Sequence, residues 1–168
     1  MDVLAKAFVK AASQYMGLSL LLLNGGTQAS ALHRIFESGG ASHRVNFAGW
    51  VSQADLQRYS RMADLYVSPS HVDGSSVSLM EALASGVPCL VSDIPANKEW
   101  VEEGVNGWLF PDGDVDGLMA GLIRAAGTRE PLHKMGESAR HTAEAKADWK
   151  KNFQKLLDAY QQTASFHA

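Results

Sequence analysis

Apolar residues recur along this chain in two alternating rhythms. Val3, Leu4, Ala7, Phe8 and Ala11 fall three and four apart, which predicts an opening amphipathic helix. Residues 18–23 follow as an apolar run broken only by Ser19 and continuous rather than alternating, the pattern of a strand covered on both faces in a parallel sheet. Strand-sized runs return at 45–49, 65–67, 89–91 and 108–110. Helical spacing fills the intervals. A helix is predicted over 29–37, ended by Gly39-Gly40. Ser52 with Asp55 three positions on reads as an N-cap for a helix running to Met62. The turn Gly74-Ser75-Ser76 opens another, stopped by Gly86 and Pro88. A short helix is expected over 97–102. Asp114 caps one that carries Val115, Leu118, Met119, Leu122 and Ile123 on one side. From Pro131 onward the pattern is helical throughout, with Trp149, Phe153, Leu156, Leu157 and Tyr160 as a final apolar stripe.

Strands alternating with helices predict an α/β fold, a Rossmann-like parallel sheet with helices on both faces. Residues 1–168 read as a single domain with a helical tail over 131–168, without internal repeat or low-complexity linker. Such a unit begins on a strand, whereas this chain begins on the helix that should follow it. The sheet is therefore expected to lack its first strand, which in these folds is central. The slot would lie between the strands at Leu20 and Leu65. Either those strands close up on each other or a segment of another chain fills it, as in a homo-oligomer.

Composition narrows the classes. The 168 residues are 46% hydrophobic and 20% charged, a globular profile, and the formal charge of −3 with scattered basic residues gives no case for nucleic acid. No apolar run approaches the length of a membrane span, and Met1-Asp2-Val3 lacks the features of a signal peptide. The lone Cys89 sits in an apolar strand pattern, so a buried, inert thiol and a reducing, cytoplasmic setting are expected. His33, His43, His71, His133, His141 and His167 share no metal-ligand spacing, and no metal or cofactor is expected. His71 is read as a loop histidine bonded to backbone.

The chemistry concentrates between Ser68 and Pro88. Asp73 and Glu81 flank a glycine-bearing turn that leads from the end of a strand into a helix. Turns of this kind hold phosphorylated ligands, because the helix N-terminus offers free N–H groups and partial positive charge. Two carboxylates beside it suit neutral hydroxyls, which together describes a sugar nucleotide.

From Asp73 to Glu81, and on through Ala82-Leu83-Ala84 and Gly86-Val87-Pro88, the chain resembles the signature of the family-four retaining glycosyltransferases of the GT-B fold. The resemblance extends to Leu20-Leu21-Leu22-Leu23-Asn24-Gly25-Gly26, Val45-Asn46-Phe47-Ala48-Gly49, Ala63-Asp64, Glu99 and Asn106-Gly107-Trp108-Leu109-Phe110-Pro111. It implies the C-terminal, donor-binding half of such an enzyme. The implied ligand is a nucleoside-diphosphate sugar, with an acceptor (glycan, lipid or small molecule) held by an N-terminal domain. It also implies that this half does not catalyse alone and that it could meet a membrane peripherally through that other domain.

By the same resemblance, Glu81 accepts hydrogen bonds from the ribose hydroxyls, and Asp73, the catalytic candidate, contacts the transferred sugar. Gly74, Ser75, Ser76 and Val77 line the hexose and diphosphate, and Gly49, Trp50 and Val51 line the base pocket. Trp50 could stack on a base or be a half-buried core residue. Glu81 could be an ordinary helix glutamate, and Asp73-Gly74 a simple turn. Departures from the pattern are Asp73 for a glutamate, Ser75 for an aromatic, and no Arg/Lys loop for the leaving diphosphate, which Lys6 and Lys10 do not match. They leave open a degenerate, non-catalytic partner subunit; a nucleotide-sugar 2-epimerase half is a more distant alternative.

Overall fold

The computed structural model describes residues 1–23 and 26–165. Asn24 and Gly25, in the turn expected after the strand at Leu20, lie outside the described residues, as does His167. The elements run α1 (Asp2–Gln14), β1 (Leu20–Leu23), α2 (Ala29–Ser38), β2 (Val45–Gly49), α3 (Gln53–Met62), β3 (Tyr66–Ser68) and α4 (Val77–Ala84). They continue with β4 (Cys89–Ser92), α5 (Pro95–Lys98), β5 (Gly107–Phe110), α6 (Val115–Ala126), α7 (Arg129–Lys146) and α8 (Trp149–Ser165). All strand pairs are parallel, as the continuous apolar runs predict.

The strands form two sheets. In one, β1 pairs with β2, Leu20 opposite Val45 and Leu22 opposite Phe47. In the other the order is β3-β4-β5, with Tyr66 opposite Cys89 and Cys89 opposite Gly107. β1 and β3 belong to different sheets, so the strands on either side of the expected slot do not close up on each other.

What joins the sheets is α1. Its apolar stripe buries Val3, Leu4, Ala5, Ala7, Phe8, Ala11 and Ala12. These join Leu22 of β1, Leu32 and Phe36 of α2, Leu90 of β4, Trp108 and Phe110 of β5, and Leu118 and Leu122 of α6 in one core. Phe8 meets Phe36 edge-on, ring centroids 6.1 Å apart. Burying a phenylalanine of this kind contributes about 1.5–3 kcal/mol. Successive side chains of a strand point to opposite faces, so while Leu90 enters this core, Cys89 and Val91 enter a second one beneath α4 and α7. That second core holds Leu79, Leu83, Val87, Val101, Ala139 and Ala143. There α7 lies close on the end of α4, because Gly136 has no Cβ to strike the Gly86 carbonyl oxygen. Cys89 is fully buried, and burial pushes its thiol pKa up, which makes it the inert cysteine the sequence implies.

Most predicted boundaries fall within a residue or two of the observed elements, and two do not. The helix expected over 97–102 begins earlier, with Pro95 at its first turn, and ends at Lys98. The buried Asn97 side chain donates back to the Ser92 carbonyl at 2.8 Å, and the 102 N–H goes to the Asn106 side chain instead of continuing the helix. The tail is likewise not one helix. It breaks after Lys146, and Asp148 restarts it by accepting from the N–H groups of Lys150 and Lys151 at 3.0 and 3.2 Å. The Trp149 stripe on α8 is exposed.

Candidate functional site

The loops that follow β2, β3, β4 and β5 leave the carboxyl ends of parallel strands, where α/β folds place their ligands. The loop from β3 to α4 is pinned at its start. The buried Ser92 hydroxyl at the end of β4 donates to the Ser70 carbonyl, and the Ser68 and Ser70 hydroxyls lie 3.0 Å apart. Further along, His71 Nδ1 lies 2.6 Å from Asp112 Oδ1 in the loop after β5. The partner of His71 is thus a carboxylate 41 positions away and not the backbone expected from sequence.

Past His71 the loop exposes its polar atoms. Asp73 is half-buried, yet its carboxylate makes no hydrogen bond or ion pair among the described residues. The Gly74 backbone is not left-handed, and no atom lies within 4 Å of its missing Cβ. Ser76 then caps α4, accepting from the Leu79 N–H at 3.4 Å. A short hydroxyl chain surrounds that helix start: Ser76 Oγ to Ser78 Oγ, 3.1 Å, and Ser78 Oγ to Tyr66 Oη, 2.8 Å. Burial raises the Tyr66 pKa, so its hydroxyl stays protonated and can donate within this chain. Ser75 and Val77 are exposed on the same turn.

Glu81 stands on the fifth residue of α4 and is half-buried. Its Oε1 accepts from Gln53 Nε2 at 2.8 Å. Gln53 is the first residue of α3, set by the Ser52 cap on the Asp55 N–H, so this bond links α4 to the loop after β2. Sequence reasoning missed Gln53, since a polar residue at a helix start gives no signal of its own and its partner lies 28 positions on. A cleft of about 330 Å³ opens beside Glu81 between α3, α4 and α7, with Arg61 and Arg140 among its lining residues. Asp73, Gly74 and Trp50 do not line it, so the predicted residues gather on the open loop surface and only Glu81 reaches the cleft.

Gly49 ends β2 with φ +67, a left-handed turn, and Val51 is half-buried beside it. Trp50 is 81% exposed, which removes the half-buried core reading and leaves its indole available to a ligand. Lys6 and Lys10 are engaged by Asp2 and Asp116 at 3.1 and 2.6 Å, so neither is a free phosphate ligand. No cluster of three or more His, Cys, Asp or Glu suited to a metal occurs among the described residues. No helix among them is long and apolar enough to cross a membrane.

Comparison with known proteins bears on the family and the fold. Residues 1–142 match the family described as glycosyl transferases group 1. The amylovoran biosynthesis glycosyltransferase AmsK of Erwinia amylovora is 32% identical over 109 residues, covering 61% of this chain and 27% of its own. The pneumococcal O-GlcNAc transferase GtfA, solved with UDP and GlcNAc, is 25% identical, with a TM-score of 0.79 over 93% of this chain and 33% of that one. The C-terminal domain of the group 1 protein LpcC from Francisella tularensis shares the fold at a TM-score of 0.79 and 16% identity, covering 88% of this chain and 78% of that one. The chain spans between 21% and 43% of the length of the curated relatives it matches.

Proposed function

The chain belongs to the group 1 glycosyl transferases, and from that premise we propose that it binds a nucleoside-diphosphate sugar as the donor for retaining transfer of the glycosyl group to an acceptor. In this reading Glu81 accepts from the ribose diol, the start of α4 with Ser76 receives the diphosphate, and Asp73 accepts from hydroxyls of the transferred sugar. Gly74, Ser75 and Val77 border that sugar, and Gly49, Trp50 and Val51 border the base. The observation that carries the reading is the turn from Asp73 to Ser76. It offers a half-buried carboxylate with no partner among the described residues, then a glycine with no atom near its absent Cβ, then the N–H groups of a helix start. Among the described residues the Asp73 carboxylate has no hydrogen bond or ion pair, and carboxylate, glycine and helix start each have the chemistry of one part of a sugar diphosphate.

Transfer asks more than donor binding, because charge grows on the leaving diphosphate and is best met by cations. The donor-binding role is therefore the one to test on this chain. Calorimetric titration of the full chain with UDP and with GDP should show saturable binding of at least one of them. Glu81→Ala should weaken it at least tenfold, since two hydrogen bonds to a charged acceptor are lost, at about 1 kcal/mol or more each. A folded chain that binds neither nucleotide would instead favour the degenerate, non-catalytic reading, to which Asp73 and Ser75, as departures from the family pattern, already point.

A further inference from the structure

Glu81 can serve a ribose only if its carboxylate is aimed, and the structure contains both a device that aims it and a competitor for it. We propose that Gln53 is the positioning residue for the ribose-binding carboxylate, holding Glu81 toward the nucleotide and away from Arg61, which lines the cleft that Gln53 and Glu81 share. The inference rests on the reading of Glu81 given above.

An ionised carboxylate has two oxygens and about four lone-pair sites. Gln53 Nε2 occupies one site on Oε1 at 2.8 Å and leaves Oε2 free for a vicinal diol. The donor is well placed for this, because Gln53 opens α3 and its backbone is fixed by the Ser52 cap. The competitor is Arg61. It lines the same cleft as Glu81 and has no hydrogen-bond or ion-pair partner among the described residues. Arg140 also lines the cleft but is committed to Glu144, at 2.7 Å, and to the Ala84 carbonyl. Without Gln53, Glu81 shares its cleft with a guanidinium that has no partner among the described residues, and its carboxylate has no other hydrogen bond among them to hold it. Gln53 is thus a selectivity element. Its loss is felt in how well the chain tells a ribose from a sugar lacking the diol, more than in whether it binds a diphosphate.

The test compares UDP and GDP with their 2′,3′-dideoxy analogues on the full chain, by calorimetry. The wild type is expected to prefer the ribose form at least tenfold. In Gln53→Leu that preference should fall below threefold, with the dideoxy ligand bound as before. Gln53→Glu separates positioning from mere folding. An acidic residue in the first turn of α3 favours the helix, so its thermal stability should hold or rise. Two carboxylates face to face repel, so its ribose preference should collapse at least as far as in the leucine variant. Full wild-type preference in both variants would overturn the role of Gln53 while leaving Glu81 in place. A wild type without ribose preference, or without binding, would overturn the ribose reading and this inference with it.

Discussion

The two sheets are held very differently. Every residue of β4 is buried and β5 is nearly so, sealed by α1 and α6 on one face and by α4 and α7 on the other. In the β1–β2 sheet only Leu22 is buried, none of β2 is, and α3 buries no residue at all. The proposed donor site stands on both. Asp73, Ser76 and Glu81 follow β3, which buries no residue itself but pairs with β4, and Glu81 stands on α4, which buries Leu79, Ala82 and Leu83; Gly49, Trp50 and Val51 rise from the loosely packed sheet. Burial and contact density set local stability, so the sugar end of the ligand meets a firm support and the base end a softer one. The bond from Gln53 to Glu81 spans the two, which gives it a weight that an exposed hydrogen bond within one element would not have.

The comparison is broken most directly by cutting one apolar side chain from each sheet. Leu90 is 1% exposed and Leu21 is 36% exposed. Leu90→Ala should cost about 2–5 kcal/mol of stability, because it removes transfer energy and leaves a cavity in the core that joins the sheets. Leu21→Ala should cost less than about 1 kcal/mol, the range for partly exposed sites that can relax. Urea unfolding of both variants measures this, and equal losses would mean that the sheets are equally supported in solution.

A smaller effect sharpens the comparison at the site itself. If the firm sheet carries the sugar end, Asp73→Asn should weaken binding of an intact sugar nucleotide about tenfold, the worth of one charge-assisted hydrogen bond. Binding of the bare nucleoside diphosphate should change by less than about twofold, within what an unpaired surface group contributes. Titrating both ligands against one variant tests it. Equal effects would make Asp73 a turn residue and no more.

Local rules carried much of this structure in the sequence. The Ser52 and Ser76 caps, the Asp114 cap of α6, and the strands at Val45, Cys89 and Trp108 all follow from patterns within a few residues. What local pattern does not contain is a partner chosen by tertiary register. His71 meets Asp112 instead of backbone, and Gln53 reaches Glu81 across two elements. The break at Asp148 was also invisible, since neither glycine nor proline marks it and apolar residues recur on both sides. The motif residues of the site were legible as a set; which of them face a cleft, a partner or open solvent was not.

The smallest expected effect concerns α8, which belongs to neither support. Trp149 is 73% exposed and its main aromatic neighbour is Phe153, one helical turn on, with ring centroids 5.7 Å apart. Such an i,i+4 pair adds only a few tenths of a kcal/mol to a helix. If the two cores account for the stability of the domain, Trp149→Ser should change the free energy of unfolding by less than about 0.5 kcal/mol, as for surface substitutions generally. The same urea curves measure it. A loss above about 1 kcal/mol would show that the stripe is covered in solution, and the contrast would then be among three regions of the molecule instead of two.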